Sequence, residues 1–523
     1  MDIYLDANAT TPVLPQAQAA ALAAMNDCFG NPSSTHTSGL RARALLERVR
    51  ADARRVLGAP TGQLLFTSGA TEGIHTAVLS ALCDLREQRA RGAQRGQASL
   101  LLHGATEHKA VPAALAHWNR ILGLGLVLKA IPVGPDGHHD LDWLRRHAPE
   151  AALVCTMAAN NETGVVSDLD GISAALADSR PLWLVDGVQA LGKLPLRLLE
   201  RGIDYAPFSG HKLYAPKGVG MLYVREGAPF TPLLTGGDQE GALRAGTENM
   251  SGIAALGAVL EALEDGQTFQ APTALRDRRE RLIAALREAF PALVLNAPVE
   301  HGLPTTLNFA VPGLASKQLL DLFDAAGMRV SAGSACGAAK AQPSEVLLAM
   351  GLSEWQAASA VRLSIGAADP ASAIDEACAR IRACGDALRA GGAASASPER
   401  SLQAARPLAD NVGLNAAQVQ ALMRASPRPL LVDVREASEQ AVSGEAVLGP
   451  GFDCTRAPLS ALSSHLPDWL GLPVDVPVLF FCRSGNRSAQ AARALRDLGR
   501  EQAWSLEGGL ALWPVHAATR APD

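Results

Sequence analysis

Over residues 1–390, short apolar runs alternate with long stretches rich in Ala, Leu, Arg and Glu. Leu64-Leu65-Phe66, Leu153-Val154-Cys155 and Leu182-Trp183-Leu184-Val185 have the continuous apolar character of strands buried on both faces, and the stretches between them have helical spacing. This alternation predicts a mostly parallel sheet covered by helices on both faces. From about residue 272 to 390 the pattern changes. Strands are expected near Thr306–Phe309 and Val361–Ile365 and helices at Lys317–Ala326 and Ile374–Leu388, a small α+β subdomain packed on the large one. Gly391-Gly392-Ala393-Ala394-Ser395-Ala396-Ser397-Pro398 has no periodicity and opens a linker expected over 391–411. Beyond it, within 412–520, Leu430-Leu431-Val432-Asp433-Val434 and Val478-Leu479-Phe480-Phe481 predict buried strands separated by helices, a smaller α/β unit.

Composition excludes several classes. With 523 residues, 48% hydrophobic and 19% charged, the chain can bury large cores and is not disordered over most of its length. A net charge of -5 gives no global basic surface, so neither nucleic acid nor an anionic membrane is an expected partner. The N-terminal residues lack a signal-peptide pattern and no apolar run approaches the ~20 residues that span a bilayer, so a cytoplasmic location is expected. Eight cysteines without a CxxC pair indicate neither a disulfide framework nor a thiolate metal site, and no metal is expected. Cysteines 28, 83, 155, 378 and 384 sit among apolar or helical residues and read as inert buried thiols. Cys336 and Cys482 differ.

Only seven lysines stand against forty arginines, which shortens the search for a covalent-catalysis lysine. Lys212 lies in Phe208-Ser209-Gly210-His211-Lys212, where small residues let a cofactor approach the backbone and Ser and His supply donors for a phosphate. Taken alone it reads as a surface-turn lysine; with a lowered pKa it becomes a Schiff-base nucleophile. Its company favours the second reading. Asp186 follows an apolar run at an expected strand end, where open α/β sheets place ligand groups, and an acid there can hold a protonated pyridine nitrogen. Gln189 could donate to a phenolic ring oxygen. Thr67-Ser68-Gly69-Ala70-Thr71-Glu72 runs from strand to helix start through a glycine, which aims free N–H groups and hydroxyls at an anion.

At this point the chain resembles the cysteine desulfurases, members of the aspartate-aminotransferase-like class of pyridoxal phosphate enzymes. The resemblance covers residues 1 to about 390. It rests on Tyr4-Leu5-Asp6-Ala7-Asn8-Ala9-Thr10-Thr11-Pro12, Gly30-Asn31-Pro32-Ser33-Ser34, the Thr67–Glu72 run, Thr106-Glu107-His108-Lys109-Ala110, Asn160-Asn161-Glu162-Thr163-Gly164, Val185-Asp186 with Gln189, and Ser209–Lys212. It implies pyridoxal 5'-phosphate as cofactor, L-cysteine as substrate and a homodimer. Lys212 would carry the cofactor, His108 stack on its ring and move protons, Asp186 pair with the ring nitrogen, and Gln189 and Asn161 contact ring or substrate. Ala70, Thr71, Ser209 and His211 would hold the phosphate, with Thr247 reaching it from the second subunit. Arg362, in Val361-Arg362-Leu363-Ser364, matches the arginine that binds the substrate carboxylate, a task suited to a guanidinium. The family's Gly-Gly-Gly-Gln-Glu-Arg-Gly run stands here as Gly236-Gly237-Asp238-Gln239-Glu240-Gly241-Ala242, so its loop conformation is expected to differ.

Ser331-Ala332-Gly333-Ser334-Ala335-Cys336-Gly337-Ala338-Ala339 is almost free of bulky side chains, so Cys336 is expected on an exposed loop as a reachable nucleophile. By the resemblance it is the persulfide cysteine of the long-loop group. Phe480-Phe481-Cys482-Arg483-Ser484-Gly485-Asn486-Arg487 puts a second cysteine between a strand and a helix, where a tight loop forms an anion nest that favours a thiolate. With Leu431-Val432-Asp433-Val434-Arg435-Glu436 and Leu506-Glu507-Gly508-Gly509, this resembles a rhodanese sulfurtransferase module; its loop, Cys482 to Arg487, has the six-residue length of the sulfur-transfer form. The sequence thus points to a desulfurase that makes a persulfide on Cys336 and relays it to Cys482 for an acceptor, protein or small molecule. A selenocysteine lyase or other β-eliminating enzyme with an independent, thiosulfate-using rhodanese is the alternative.

Overall fold

The computed structural model describes residues 2–93, 97–332, 343–391, 412–444, 446, 448 and 453–514. The expected Cys336 loop and all but the first residue of the expected linker lie outside the described residues.

The large sheet has the strand order Gln63–Thr67, Gly220–Val224, Tyr205–Ser209, Leu182–Asp186, Ala151–Met157, Leu100–Gly104, Val127–Ile131. Gly220–Val224 is antiparallel to both neighbours, and the other pairings are parallel. Successive residues of each strand serve opposite faces. Leu64, Phe66, Val154, Trp183 and Val185 enter one core with the helices Thr37–Leu57 and Met250–Glu264. Leu65, Leu153, Leu182 and Leu184 enter the other, under the helices Ala70–Ala90 and Ala110–Ile121. Burial on both faces is why these runs are apolar without alternation. The strands Gln63–Thr67, Tyr205–Ser209 and Leu182–Asp186 end at the same edge, with Thr67 and Ser209 both opposite Gly220 and Asp186 opposite Met157.

A second, antiparallel sheet has the order Ser331–Ala332, Val361–Ser364, Thr306–Ala310, Val294–Leu295, flanked by the helices Pro272–Ala289, Ser316–Ala325 and Ala371–Gly391. Its core of Leu282, Leu286, Phe309, Phe323, Leu363 and Ile381 also takes Ile3 and Leu5, because the strand Ile3–Tyr4 pairs in parallel with Met328–Arg329. The chain start therefore belongs to the small subdomain before it crosses to the large sheet. Side chains tie the two together. Asn8 Nδ2 donates to Thr306 Oγ1 at 2.9 Å, and Ser344 Oγ donates to Glu162 Oε2 at 2.6 Å.

The C-terminal sheet is wholly parallel, in the order Gly413–Leu414, Ala503–Leu506, Val478–Phe481, Leu430–Asp433, Cys454–Arg456. Gly509, at φ 59°, closes it: a Cβ there would strike the carbonyl oxygens of Cys482 and Arg483. Cys155, Cys378 and Cys384 are buried as expected, whereas Cys28 and Cys83 are only half-buried. Cys28 sits just past the end of the helix Pro15–Asp27, and Cys83 borders the buried stripe of its own helix. Among the described residues no helix is long and apolar enough to cross a membrane.

Two outcomes are expected. Burial raises the Glu162 carboxyl from 4.5 to about 7, despite the Ser344 hydrogen bond and the nearby Arg362 and Lys109 charges. The stability it contributes is complete below 4.5 and lost as pH rises through about 7, since the unfolded chain gives up that proton first. Urea denaturation should therefore show stability falling across this window, and Glu162→Gln should flatten the slope. Gly509→Ala, combining overlap with a left-handed backbone, should destabilise the C-terminal unit by about 1–3 kcal/mol, seen as earlier proteolysis of residues beyond 412 with the N-terminal part still resistant.

Candidate active site

Lys212 ends the short turn Gly210–Lys212 directly after the strand Tyr205–Ser209, at the edge where the parallel strands finish. Its Nζ donates to the carbonyl oxygens of Asn8 at 2.7 Å and Ala9 at 2.6 Å. The Asn8 carbonyl also accepts from Gln189 Nε2 at 3.0 Å, and Gln189 Oε1 accepts from Lys193 Nζ at 2.9 Å. Lys193 was not singled out from the sequence; the scarcity of lysine was the one available signal. Burial brings its amine down to about 7, with the Lys212 and Arg362 charges adding to the effect.

Asp186 ends its strand with Oδ1 accepting from the Val188 N–H at 3.0 Å. Burial raises its carboxyl, against the opposing pull of His108 and Lys212, so a cation beside it would meet a strong demand for positive charge. Glu107, another residue sequence reasoning passed over as a site group, is pushed well above the usual range by burial, with Asp186 adding to it. His108 is exposed at the start of the helix Ala110–Ile121, its Nδ1 accepting from the Ala110 N–H at 3.2 Å.

The helix Ala70–Ala90 begins at Gly69 without a side-chain cap, so Ala70 and Thr71 stand in a first turn whose N–H groups can take an anion. A Cβ on Gly69 would come within 3.7 Å of Ser209 Oγ, which places that hydroxyl beside the helix start. His211 Nδ1 meets Thr10 Oγ1 at 3.1 Å, and burial with Lys212 and Lys217 lowers its imidazole to about 4, so it is neutral. A lysine, a buried acid and an uncapped helix start with a hydroxyl beside it fit pyridoxal phosphate: amine for the aldehyde, carboxylate for the ring nitrogen, N–H groups for the phosphate.

Arg362, 1% exposed, donates from Nη2 to Asp6 Oδ1 at 2.6 Å and from Nη1 to the Asn161 carbonyl at 3.0 Å, while its buried Nε has no hydrogen-bond partner among the described residues. Asn161 thus contributes its backbone as well as standing where the motif predicts. Thr247 is exposed and borders a cavity of about 130 Å³ together with Thr67, Ser68 and Arg244. The altered loop before it carries Glu240, Gly241 and Ala242 at φ 53°, 67° and 65°, and is anchored by Arg50 to Glu240 at 3.0 Å, with Arg244 held by Glu72 at 2.9 Å.

The second cysteine, Cys482, follows the strand Val478–Phe481 and is fully buried. The Gly485 N–H reaches its Sγ at 3.2 Å and Ser488 Oγ lies 3.5 Å away. Ser484 and Gly485 make the turn, and Asn486 and Arg487 open the helix Asn486–Asp497. Arg487 grips Glu439 through Nη1 at 2.5 Å and Nη2 at 2.7 Å. One N–H and one hydroxyl therefore reach the sulfur, while Arg487 is paired with Glu439 and Arg483 turns to Asp321.

Comparison with known proteins gives a family for each of the two units. The aminotransferase class-V family model matches residues 3–376, and the rhodanese-like domain model matches residues 415–515. A cysteine desulfurase of Trichormus azollae is 37% identical over 366 residues, 69% of this chain and 88% of that one. One from Cereibacter sphaeroides is 38% identical over 390 residues, 74% of this chain and 97% of its own. Among solved structures, a NifS-like protein superposes with a TM-score of 0.65 at 29% identity, covering 73% of this chain and 98% of that one. SspA in complex with cysteine superposes with a TM-score of 0.60 at 26% identity, covering 71% and 100%. The chain belongs to the class-V aminotransferase family, among the cysteine desulfurases, and continues into a rhodanese-like domain.

Proposed function

We propose that the chain removes sulfur from L-cysteine as a persulfide on Cys336, releases L-alanine, and relays the sulfur to Cys482 for an acceptor that is a protein or a small molecule. The observation that carries this reading is the meeting of Lys212 and Asp186, at strand ends of the large sheet, with Arg362 from the small-subdomain sheet: Lys212 Nζ donates to the Asn8 carbonyl, Asn8 Nδ2 donates to the Asn161 carbonyl at 3.2 Å, and Arg362, its buried Nε unspent, donates to that same carbonyl. The desulfurase relatives and the cysteine held by SspA support the substrate.

Pyridoxal phosphate, when bound, supplies an electron sink for charge left on the substrate carbon. Lys212 would hold it, with Asp186 at the ring nitrogen, Gln189 and His108 at the ring, and Ala70, Thr71, Ser209 and His211 at the phosphate; Thr247 would come from the partner in a homodimer. Arg362 takes the substrate carboxylate with Nε and with the Nη2 that Asp6 occupies in its absence. This orients the α-proton toward Lys212 Nζ, which accepts it as a neutral amine released from the carbonyls of Asn8 and Ala9. His108, solvent-exposed beside Asp186, exchanges protons with water. The Cys336 thiolate then attacks the substrate sulfur: the S–S bond forms as the C–S bond breaks, its electron pair goes to the carbon, that carbon is protonated, and L-alanine leaves. Attack by the Cys482 thiolate on the outer sulfur moves the persulfide and restores the Cys336 thiolate.

Arg362→Lys is expected to raise KM for L-cysteine by roughly ten- to a hundredfold while leaving cofactor absorbance intact, since one point charge replaces a planar pair of donors. Mass-spectrometric mapping after a single turnover of L-cysteine should find persulfide on both Cys336 and Cys482, and on neither in Cys336→Ala. A Cys336→Ala protein that still loads Cys482 would defeat the relay.

A further inference from the structure

The arginines of the rhodanese loop face the small subdomain, while Asn486 stays exposed. Arg483 Nε donates to Asp321 Oδ1 at 3.1 Å and its Nη1 lies 3.2 Å from Asp324 Oδ1, while Arg487 Nη2 lies 3.5 Å from Asp321 Oδ2. Both aspartates sit on the helix Ser316–Ala325 of the small subdomain. The contact continues outward: the helix Ala437–Ser443 of the C-terminal unit packs on Ser316–Ala325 and on Ala371–Gly391, and Val442 packs against the small-subdomain core. Asp321 and Arg487 have side chains only 8% and 9% exposed, so their attraction is little screened.

An anionic sulfur donor of the thiosulfate class needs the guanidinium groups and N–H nest of such a loop. Here those guanidinium groups are already taken. Arg483 spends Nε and Nη1 on the two aspartates and Arg487 spends both terminal nitrogens on Glu439 and Asp321; Asp321 and Asp324, further held by Lys317 at 2.9 Å and Arg329 at 2.6 Å, would have to be displaced from the arginines by an incoming dianion. The same helix packs beside the strand Ser331–Ala332, at whose end the chain enters the segment bearing Cys336.

We propose that Asp321 and Asp324 form an anionic cap on the Cys482 loop, a docking surface that keeps free anionic donors off Cys482 and reserves it for sulfur brought by its own chain. The reservation rests on the proposed relay; the cap itself rests on the ion pairs alone. Glu439 remains to pair with Arg487 if the cap is removed, so the loop keeps its fold.

The test uses the full-length holoenzyme and Asp321→Asn/Asp324→Asn. Iodoacetamide labelling of Cys482, read by peptide mass, should accelerate roughly tenfold or more in the double variant, and transfer of sulfur from thiosulfate to cyanide should gain by a similar factor. In that assay the thiosulfate S–S bond breaks, sulfite leaves, Cys482 carries the sulfur as a persulfide, and cyanide departs with it as thiocyanate. Alanine formation from L-cysteine should be unchanged. Equal labelling rates and equal thiosulfate turnover in the two proteins would overturn the cap. Released thiosulfate turnover with no cysteine-derived sulfur on Cys482 in either protein would uphold the cap while removing the relay.

Discussion

A lysine amine drawn partly out of water needs acceptors, and in this fold the backbone carbonyls of Asn8 and Ala9 provide them. Much else follows from that requirement. The segment carrying those carbonyls is pinned on one side by the small subdomain, through Ile3 and Leu5 in its core and the Ser364 hydroxyl accepting the Asn8 N–H at 3.0 Å. On the other side it is pinned by Gln189 and by Thr11, whose Oγ1 accepts the Tyr214 N–H at 2.6 Å. Large sheet, small subdomain and reactive amine are thus joined at one short stretch of chain.

Around that stretch the protein balances charges it has largely removed from solvent. Arg362 and Lys193 are cations with few neighbours to spare; Asp6 answers the first, and the second sheds its proton readily because burial disfavours the charge. On the acidic side, burial raises both Glu107 and Asp186, and the charges of His108 and Lys212 pull back only on Asp186, the acid a ring cation would address. A cofactor and a substrate carboxylate would complete this balance, which is the physical content of calling the site prepared.

The sheet strands were legible because burial on both faces leaves an unbroken apolar signature, as in Leu182–Val185. Lys212, Asp186, Arg362 and Cys482 were legible because their neighbours form motifs. What escaped reading shares a different property, namely that its meaning is set by distant chain. The two-residue strand Ile3–Tyr4 has no period of its own and exists only against Met328–Arg329. Lys193 looks like an ordinary turn residue until burial is known. Asp321 reads as one more polar position of an amphipathic helix, and nothing local connects it to Arg483.

The pairing of the first strand also bears on how the chain is made. Ile3 and Tyr4 leave the ribosome long before Met328 and Arg329, an interval on the order of half a minute at ~5–20 residues per second. Once Gly220–Val224 has emerged the large sheet can form, but until Met328 and Arg329 follow, the carbonyls that receive Lys212 have no anchor through that pairing. The Lys212 site is therefore closed from the small-subdomain side only after Met328 and Arg329 have joined, and Ile3 and Tyr4 are fixed long after they are made.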